Sequence, residues 1–301
     1  MIRIKHINAF TTQPFHGNPA AVVTRADALT EDQMQKIARE MNLADTAFVL
    51  RPSRSAADLR LRWFTPTTEV SFCGHATIAS FHALAEERRF SMARPGQYSF
   101  KLETRSGILP VCVMKGSSRK AWVQLQLPPT RFSSYRGPLV QILKGLRVDK
   151  KELHPRLPVQ IDSRRMLYLP FGRLKTVLEM KPNFECLRQI GEHHRLHGVC
   201  VFTPETIDEE STFHSRFFAP NYGINEDPVT GSSNGPLAAY FYAQGLLPSE
   251  NEKCRAIGEQ GDVLGRKGRV SVEVNLDREE VASVRIGGEA VTIFEVPLRL
   301  S

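Results

Sequence analysis

Three short stretches of the chain carry side chains that could do chemistry. Asp45 stands where a helix end meets an apolar strand, a junction at which a loop is held against a rigid edge. Cys73-Gly74-His75 opens an apolar segment; a thiolate placed there gains from the helix dipole, and an imidazole can donate to a substrate oxygen or relay a proton. Glu226-Asp227-Pro228 runs into Gly231-Ser232-Ser233-Asn234-Gly235, an acidic turn followed by a Gly/Ser loop. Glycines permit close approach, serines offer hydroxyl donors, and the first amides of a following helix are unpaired at the positive end of its dipole, so a carboxylate or phosphate could sit there. Each residue also has a plainer reading. Asp45 and Asp227 suit turns, His75 could cap a helix, and Cys73 could be a small buried residue.

Other chemistries lack their signatures. Ser232 and Ser233 are not in a Gly-x-Ser-x-Gly elbow and have no evident His/Asp pairing, so ligand binding is preferred to nucleophilic catalysis. His193, His194 and His197 include an i,i+4 pair but no third ligand, and no metal is expected. Neither GxGxxG nor a Walker loop is present, so no nucleotide cofactor is expected. The five cysteines are widely spaced without CxxC pairs, which suggests neither a disulfide framework nor a zinc site. The net charge of +8 comes from Lys and Arg scattered singly, which argues against nucleic acid and for a basic surface that attracts an anionic metabolite. No apolar run approaches the ~18 residues of a membrane helix, and Met1 leads straight into an alternating strand, so no membrane partner and a cytoplasmic location are expected.

The elements that must position these residues come in two sets. Arg62-Trp63-Phe64-Thr65-Pro66 and Arg216-Phe217-Phe218-Ala219-Pro220 lie 154 residues apart, about half the chain, and each precedes a polar Gly turn and an almost wholly apolar helix. The first such helix is expected from Ala76, the second from Pro236, where a missing backbone N–H costs nothing at a helix start. Both are apolar on nearly every side and should be buried. Around them the pattern predicts strands at residues 2–10, 46–50, 59–64, 98–103, 108–114 and 121–127. In the second half it predicts strands at 199–203, 212–218, 254–259, 269–274, 281–286 and 291–297. Thr30 three residues ahead of Gln33 is a capping box opening a helix that ends near Asn42. Few strands are separated by helices, so an α+β fold is expected: two halves, each a curved, mainly antiparallel sheet wrapped around one central apolar helix. The halves are placed at residues 1–118 and 119–301, with the last strand a candidate to pair with the first half.

Six motifs in order resemble one family. Ala9-Phe10, Phe15-x-Gly17-Asn18-Pro19, Met41 to Val49, Phe64-Thr65-Pro66, Cys73-Gly74-His75-Ala76-Thr77 and Glu226 to Ser232 look like the PhzF-like phenazine-biosynthesis isomerases, with Asn234-Gly235-Pro236 resembling their uncharacterised bacterial branch as much. The resemblance implies a diaminopimelate-epimerase-like fold of two pseudo-symmetric halves with the active site in the cleft between them, and a homodimer. It implies an enzyme that isomerises dihydro-3-hydroxyanthranilate without metal or organic cofactor by moving a proton on one face of a ring. The family base is a Glu, and its place is taken by Asp45; the family's His and Asp helpers match His75 and Asp227, and its substrate-binding Ser matches Ser232.

The expectation is therefore a cofactor-independent isomerase acting on a small cyclic or amino-acid-like carboxylate. Asp45, His75 and Asp227 are its catalytic residues, and Asn18, Gly74, Gly231, Ser232 and Ser233 bind substrate. Asp45 departs from the family by one methylene, which withdraws the carboxylate by about 1 Å, a misplacement that can cost on the order of a hundredfold in rate. Related epimerases use two cysteines. Here the first matches Cys73 but the second position is Ser232, a far poorer base, so the alternatives are a one-sided epimerase using Cys73 or a metabolite-binding protein without catalysis.

Overall fold

The computed structural model describes residues 2–117 and 120–299. The described residues form two compact units, 2–117 and 120–127 with 285–299, and 128–284. The break expected between residues 118 and 119 lies outside the described residues.

In the first unit, β1 (Ile2–Ala9) pairs antiparallel with β2 (Asn18–Val23). The chain then crosses through α1 (Glu31–Met41), so that β3 (Asp45–Leu50) lies parallel to β2. The helix α1 begins on a complete Thr30/Gln33 capping box and ends on Asn42 in the left-handed conformation, φ 49°. Its buried Met34, Ile37 and Ala38 pack with Ile4, Phe48 and Phe64. Antiparallel to β3 runs β4 (Leu59–Phe64), whose end pairs with the short β5 (Glu69–Val70). The helix α2 (Gly74–Glu86) follows. After it β6 (Gly96–Thr104) lies parallel to β4, and β7 (Gly107–Lys115) and β8 (Ala121–Gln126) continue antiparallel. Arg62 on β4 grips Glu69 with Nε and Nη2 at 2.8 and 2.7 Å while its guanidinium sits 5.0 Å from the Phe64 ring centre.

The second unit starts with β9 (Phe132–Ser134), α3 (Leu139–Leu146), β10 (Gln160–Asp162) and β11 (Met166–Pro170). Helices α4 (Leu174–Glu179) and α5 (Phe184–His194) lead to β12 (Gly198–Thr203), parallel to β11. Antiparallel β13 (Phe213–Ala219) pairs with the short β14 (Ile224–Asp227). Then come α6 (Gly231–Ala243), β15 (Lys253–Gln260), which is parallel to β13, and antiparallel β16 (Gly268–Asp277). Arg216 on β13 grips Glu226 with two bonds of 2.8 Å, its guanidinium 5.1 Å from the Phe218 ring centre. Ile142, Leu143 and Leu146 of α3 pack with Leu187 and Ile190 of α5 and with Leu167, Leu169, Val199 and Val201 of the sheet. Tyr240 and Phe241 of α6 meet the rings of Phe202 on β12 and Phe213 on β13 tilted or edge-on.

The chain returns to the first unit along β17 (Glu280–Gly288), whose later residues pair with β8, and ends in β18 (Ala290–Leu298), paired with β1. The first unit's strands thus run in the series β18, β1, β2, β3, β4, β6, β7, β8, β17, whose two ends are joined by the single residue Glu289. A sheet whose first and last strands are chain neighbours has to curl. Within the curl, α2 packs against β1, β2, β3, β8 and β18, and every residue from Gly74 to Ala85 is buried. The protein therefore mixes a curled sheet with few helices.

Two helix starts differ from the sequence reading. The helix expected from Ala76 begins at Gly74, and the one expected from Pro236 begins at Gly231, with Pro236 inside it. Gly, Ser and Asn are weak helix formers, so residues 231–235 read as loop; tertiary contacts override that weak preference.

One buried acid makes the fold pH-sensitive. The Glu259 side chain is wholly buried, accepts from the amides of Ile207 and Asp208 at 2.9 and 2.7 Å, faces His214 Nδ1 at 3.0 Å and lies 3.5 Å from Arg269. Burial would raise its pKa, but these donors outweigh burial and hold it at about 2 against an ordinary 4.5. A depressed folded-state pKa gives stability that is complete above about 4.5 and lost as pH falls toward about 2. Glu259→Gln should therefore cost about 3 kcal/mol near pH 7, because it strands buried donors, and progressively less under acid conditions. Denaturant melts of both proteins across that range check the convergence.

Candidate active site

Asp45, Cys73 and His75 meet in the first unit. Asp45 is the opening residue of β3, level with Ala20 of the parallel β2. Cys73 is the residue before α2, extended at φ −145° and ψ 116°, and its side chain makes no capping bond to the helix. That leaves the thiol to donate to Asp45 Oδ2 at 3.2 Å, while Sγ also lies 3.5 Å from His75 Nδ1. His75 Nε2 is 3.8 Å from the same Asp45 oxygen. All three residues are buried. Burial drives the His75 pKa down to about 4, and the Pro19 carbonyl, which favours a protonated ring, offsets only part of that. The imidazole is therefore neutral at physiological pH.

Asn18 and Gly74 flank this group. Asn18 is fully buried in β2 opposite Ala9, directly after Gly17, whose φ of +66° and 2.2 Å approach of a built Cβ to the Ala9 carbonyl demand glycine. Gly74 lets α2 start close to Ile286, whose Cδ1 a Cβ would meet at 3.1 Å.

In the second unit Asp227 ends β14, a strand the sequence reading took for a turn, and it accepts a hydrogen bond from the Thr230 hydroxyl. Gln260 holds this corner. Its Nε2 donates to the Asp227 carbonyl at 2.8 Å and to Thr230 Oγ1 at 3.0 Å, and its Oε1 accepts from the Thr230 amide at 3.0 Å and from Asn234 Nδ2 at 2.8 Å. Ser233 is fully buried and its hydroxyl donates back to the Thr230 carbonyl at 3.1 Å, which ties it up inside the first turn. Buried Gly231 and half-buried Ser232 open the first turn of α6, where helix amides have no partner within the helix and the positive end of the dipole lies.

Two residues that sequence reasoning missed hold this helix start. Pro236 has no N–H to give to the carbonyl of Ser232 four residues before it. Arg164 Nη2 fills the gap, donating to that carbonyl at 2.8 Å. Arg164 is itself clamped by Asp162, with Nε and Nη2 at 3.2 and 2.8 Å from Oδ2. The buried Asp162 further accepts from the amides of Arg164 and Met166 and from the Tyr168 hydroxyl. The only sequence signal was Pro236 itself: placed inside a helix, it guarantees an orphan carbonyl that needs an outside donor.

The family model of PhzC-PhzF, phenazine biosynthesis-like protein, matches residues 7–296. A relative named as an uncharacterized isomerase of Clostridium acetobutylicum is 38% identical over 298 residues, 98% of this chain and 97% of its own. The solved phenazine biosynthesis protein of the PhzF family from Bacillus anthracis is 30% identical, covers 99% of both chains and superposes with a TM-score of 0.88. At 13% identity and TM-score 0.64, a hydroxyproline epimerase from Agrobacterium vitis covers 98% of this chain and 91% of its own, which bears on the fold alone. The fold is thus of the epimerase-like kind, and the protein is an isomerase. Specifically, the chain belongs to the phenazine biosynthesis-like (PhzF) family.

Arg164→Ala should destabilise the protein by about 1–3 kcal/mol, since it strands the Ser232 carbonyl and the buried Asp162. Pro236→Ala in that background restores an N–H four residues beyond Ser232 and should recover about 1 kcal/mol, a gain absent when Arg164 is present. A double-mutant cycle read by chemical denaturation measures this coupling.

Proposed function

We propose that the protein is a cofactor-independent isomerase that moves a proton within a small cyclic or amino-acid-like carboxylate. The observation that carries this reading is the buried contact of a carboxylate, a thiol and a neutral imidazole at the start of α2. Asp45 takes a proton from a carbon next to an electron-withdrawing group and returns it to a second carbon, so that one C–H bond breaks, another forms and nothing is consumed. His75, neutral, donates a hydrogen bond to the oxygen on which charge develops without surrendering its proton to solvent. The amides and hydroxyl of Gly231 and Ser232 at the start of α6 suit a carboxylate. Asp227, held by Thr230 and Gln260, orients a polar group of the substrate.

The reading includes two pseudo-symmetric halves of the diaminopimelate-epimerase kind, each built round a central helix. It is supported by a repeated order of pairings. A parallel pair, an antiparallel pair, a short antiparallel strand and a second parallel neighbour recur as β2, β3, β4, β5, β6 and as β11, β12, β13, β14, β15. The Arg–Glu clamps beside a phenylalanine ring recur with them, Arg62 with Glu69 and Arg216 with Glu226.

The bond from Cys73 to Asp45 also favours a second reading, in which Asp45 accepts the thiol proton and the Cys73 thiolate removes the substrate proton in a one-sided epimerisation. A panel of cyclic and amino-acid carboxylates in heavy water separates the two. Deuterium uptake followed by NMR should fall by about 10²–10⁴-fold in Asp45→Asn and persist in Cys73→Ala. Uptake that survives in Asp45→Asn removes Asp45 from the role; loss in Cys73→Ala alone selects the thiol.

A further inference from the structure

We propose that Asp45, Cys73 and His75 together form a binding site for a thiophilic divalent cation of the Zn²⁺ type. They offer a carboxylate oxygen, a sulfur and an imidazole nitrogen, a donor set that zinc accepts, and one atom from each residue lies within 4.8 Å of the other two. With metal–ligand lengths of about 2.0–2.3 Å, ligand atoms on a tetrahedral zinc stand about 3.4–3.6 Å apart. Sγ lies close to that value from both partners, 3.2 Å from Asp45 Oδ2 and 3.5 Å from His75 Nδ1, while the other ring nitrogen, Nε2, is 3.8 Å from Asp45 Oδ2. An ion takes only one ring nitrogen, so binding requires the imidazole to turn until that nitrogen serves both neighbours.

The donor set also decides which ion. A single carboxylate cannot supply the six or more oxygens that Ca²⁺ takes, nor the octahedral oxygen shell that Mg²⁺ demands. Sulfur and imidazole select Zn²⁺ and its analogues Cd²⁺ and Co²⁺ instead. Binding displaces the thiol proton to solvent, and three protein ligands leave the fourth tetrahedral position open to water or to an incoming carboxylate. The site stands whether or not the reaction proposed above is right. Its consequence rests on that reading: an ion here engages the Asp45 lone pair and the Cys73 sulfur, so free zinc would switch proton transfer off.

The experiment uses untagged, metal-free full-length protein in a His193→Ala, His197→Ala background, which removes the exposed histidine pair near the end of α5 as a competitor. Titration with Cd²⁺ should raise the ultraviolet thiolate-to-cadmium charge-transfer band to a plateau at about one equivalent. That band should vanish in Cys73→Ser, weaken in His75→Gln and persist in Cys112→Ser. In parallel, Zn²⁺ should protect Cys73 of the same background from iodoacetamide, read by peptide mass spectrometry, an arm that needs no site variant to fold. A band that survives in Cys73→Ser, or a Cys73 alkylation rate indifferent to saturating Zn²⁺, overturns the proposal. Deuterium exchange by the metal-free protein is scored separately, so failure of the metal site and failure of the proton-transfer reading remain distinct.

Discussion

A helix buried on nearly every side must settle its polar groups with little help from solvent, and this constraint shapes both α2 and α6. Along α2 the Thr77 and Ser80 hydroxyls turn back onto the carbonyls of Cys73 and Ala76, and His82 lies 3.4 Å from Glu86 one turn on. What cannot be settled inside the helix is its first turn, where unpaired amides and the positive end of the dipole are concentrated. Asp45, Cys73 and His75 gather there. Their negative charge and polarity are favoured by the same field that would be costly to bury without them. The site is thus the polar remainder of burying an apolar helix in a curled sheet.

The helix α6 meets the constraint by different means. Its two tyrosines send their hydroxyls to the carbonyls of Pro158 and Glu279, at 2.7 and 2.9 Å. Its internal proline removes one bond from the first turn, and the Arg164–Asp162 pair supplies a replacement from a neighbouring strand and turn. An ordinary helix would have closed that turn on itself. Using an arginine instead ties the Ser232 backbone to the buried Asp162, while Gln260 ties Thr230 and Asn234 to the other side of the loop. Fixing a loop in this way lowers the ordering cost that a ligand would otherwise meet on binding there.

Much of this was legible in the sequence, for reasons that differ by residue. The α1 boundaries follow from Thr30, Gln33 and Asn42, whose side chains or backbone preferences act within one turn. Strands such as Leu59–Phe64 announced themselves by alternation, and the positions of Asp45, Cys73 and His75 were readable as candidates from their neighbours. Their mutual contact was not readable, because it depends on β3 lying parallel to β2 across an intervening helix. The start of α6 was misplaced because Gly231 to Gly235 have low intrinsic helicity and are held by Gln260 and Thr230, which local pattern does not report. Short strands such as β10 and β14 escaped for a related reason: three or four residues carry too little alternation to register.

Against the glutamate that the family resemblance implies at this place, Asp45 looks, from sequence, like a loss of reach. In the fold the shorter carboxylate does not stand alone. Its Oδ2 receives the Cys73 thiol at 3.2 Å, so carboxylate and thiol form one hydrogen-bonded pair through which a proton can pass. On the proposed chemistry, the isomerase and epimerase readings then differ less than they first seem to. Both use the same pair, and they differ in whether the oxygen or the sulfur faces the substrate carbon. Sulfur is the larger atom and the more intrinsically nucleophilic. A neutral His75 beside both favours neither by charge. The choice is therefore left to the position of the substrate carbon, which shape and carboxylate anchoring determine, and a one-methylene change at residue 45 shifts that geometry without removing either base.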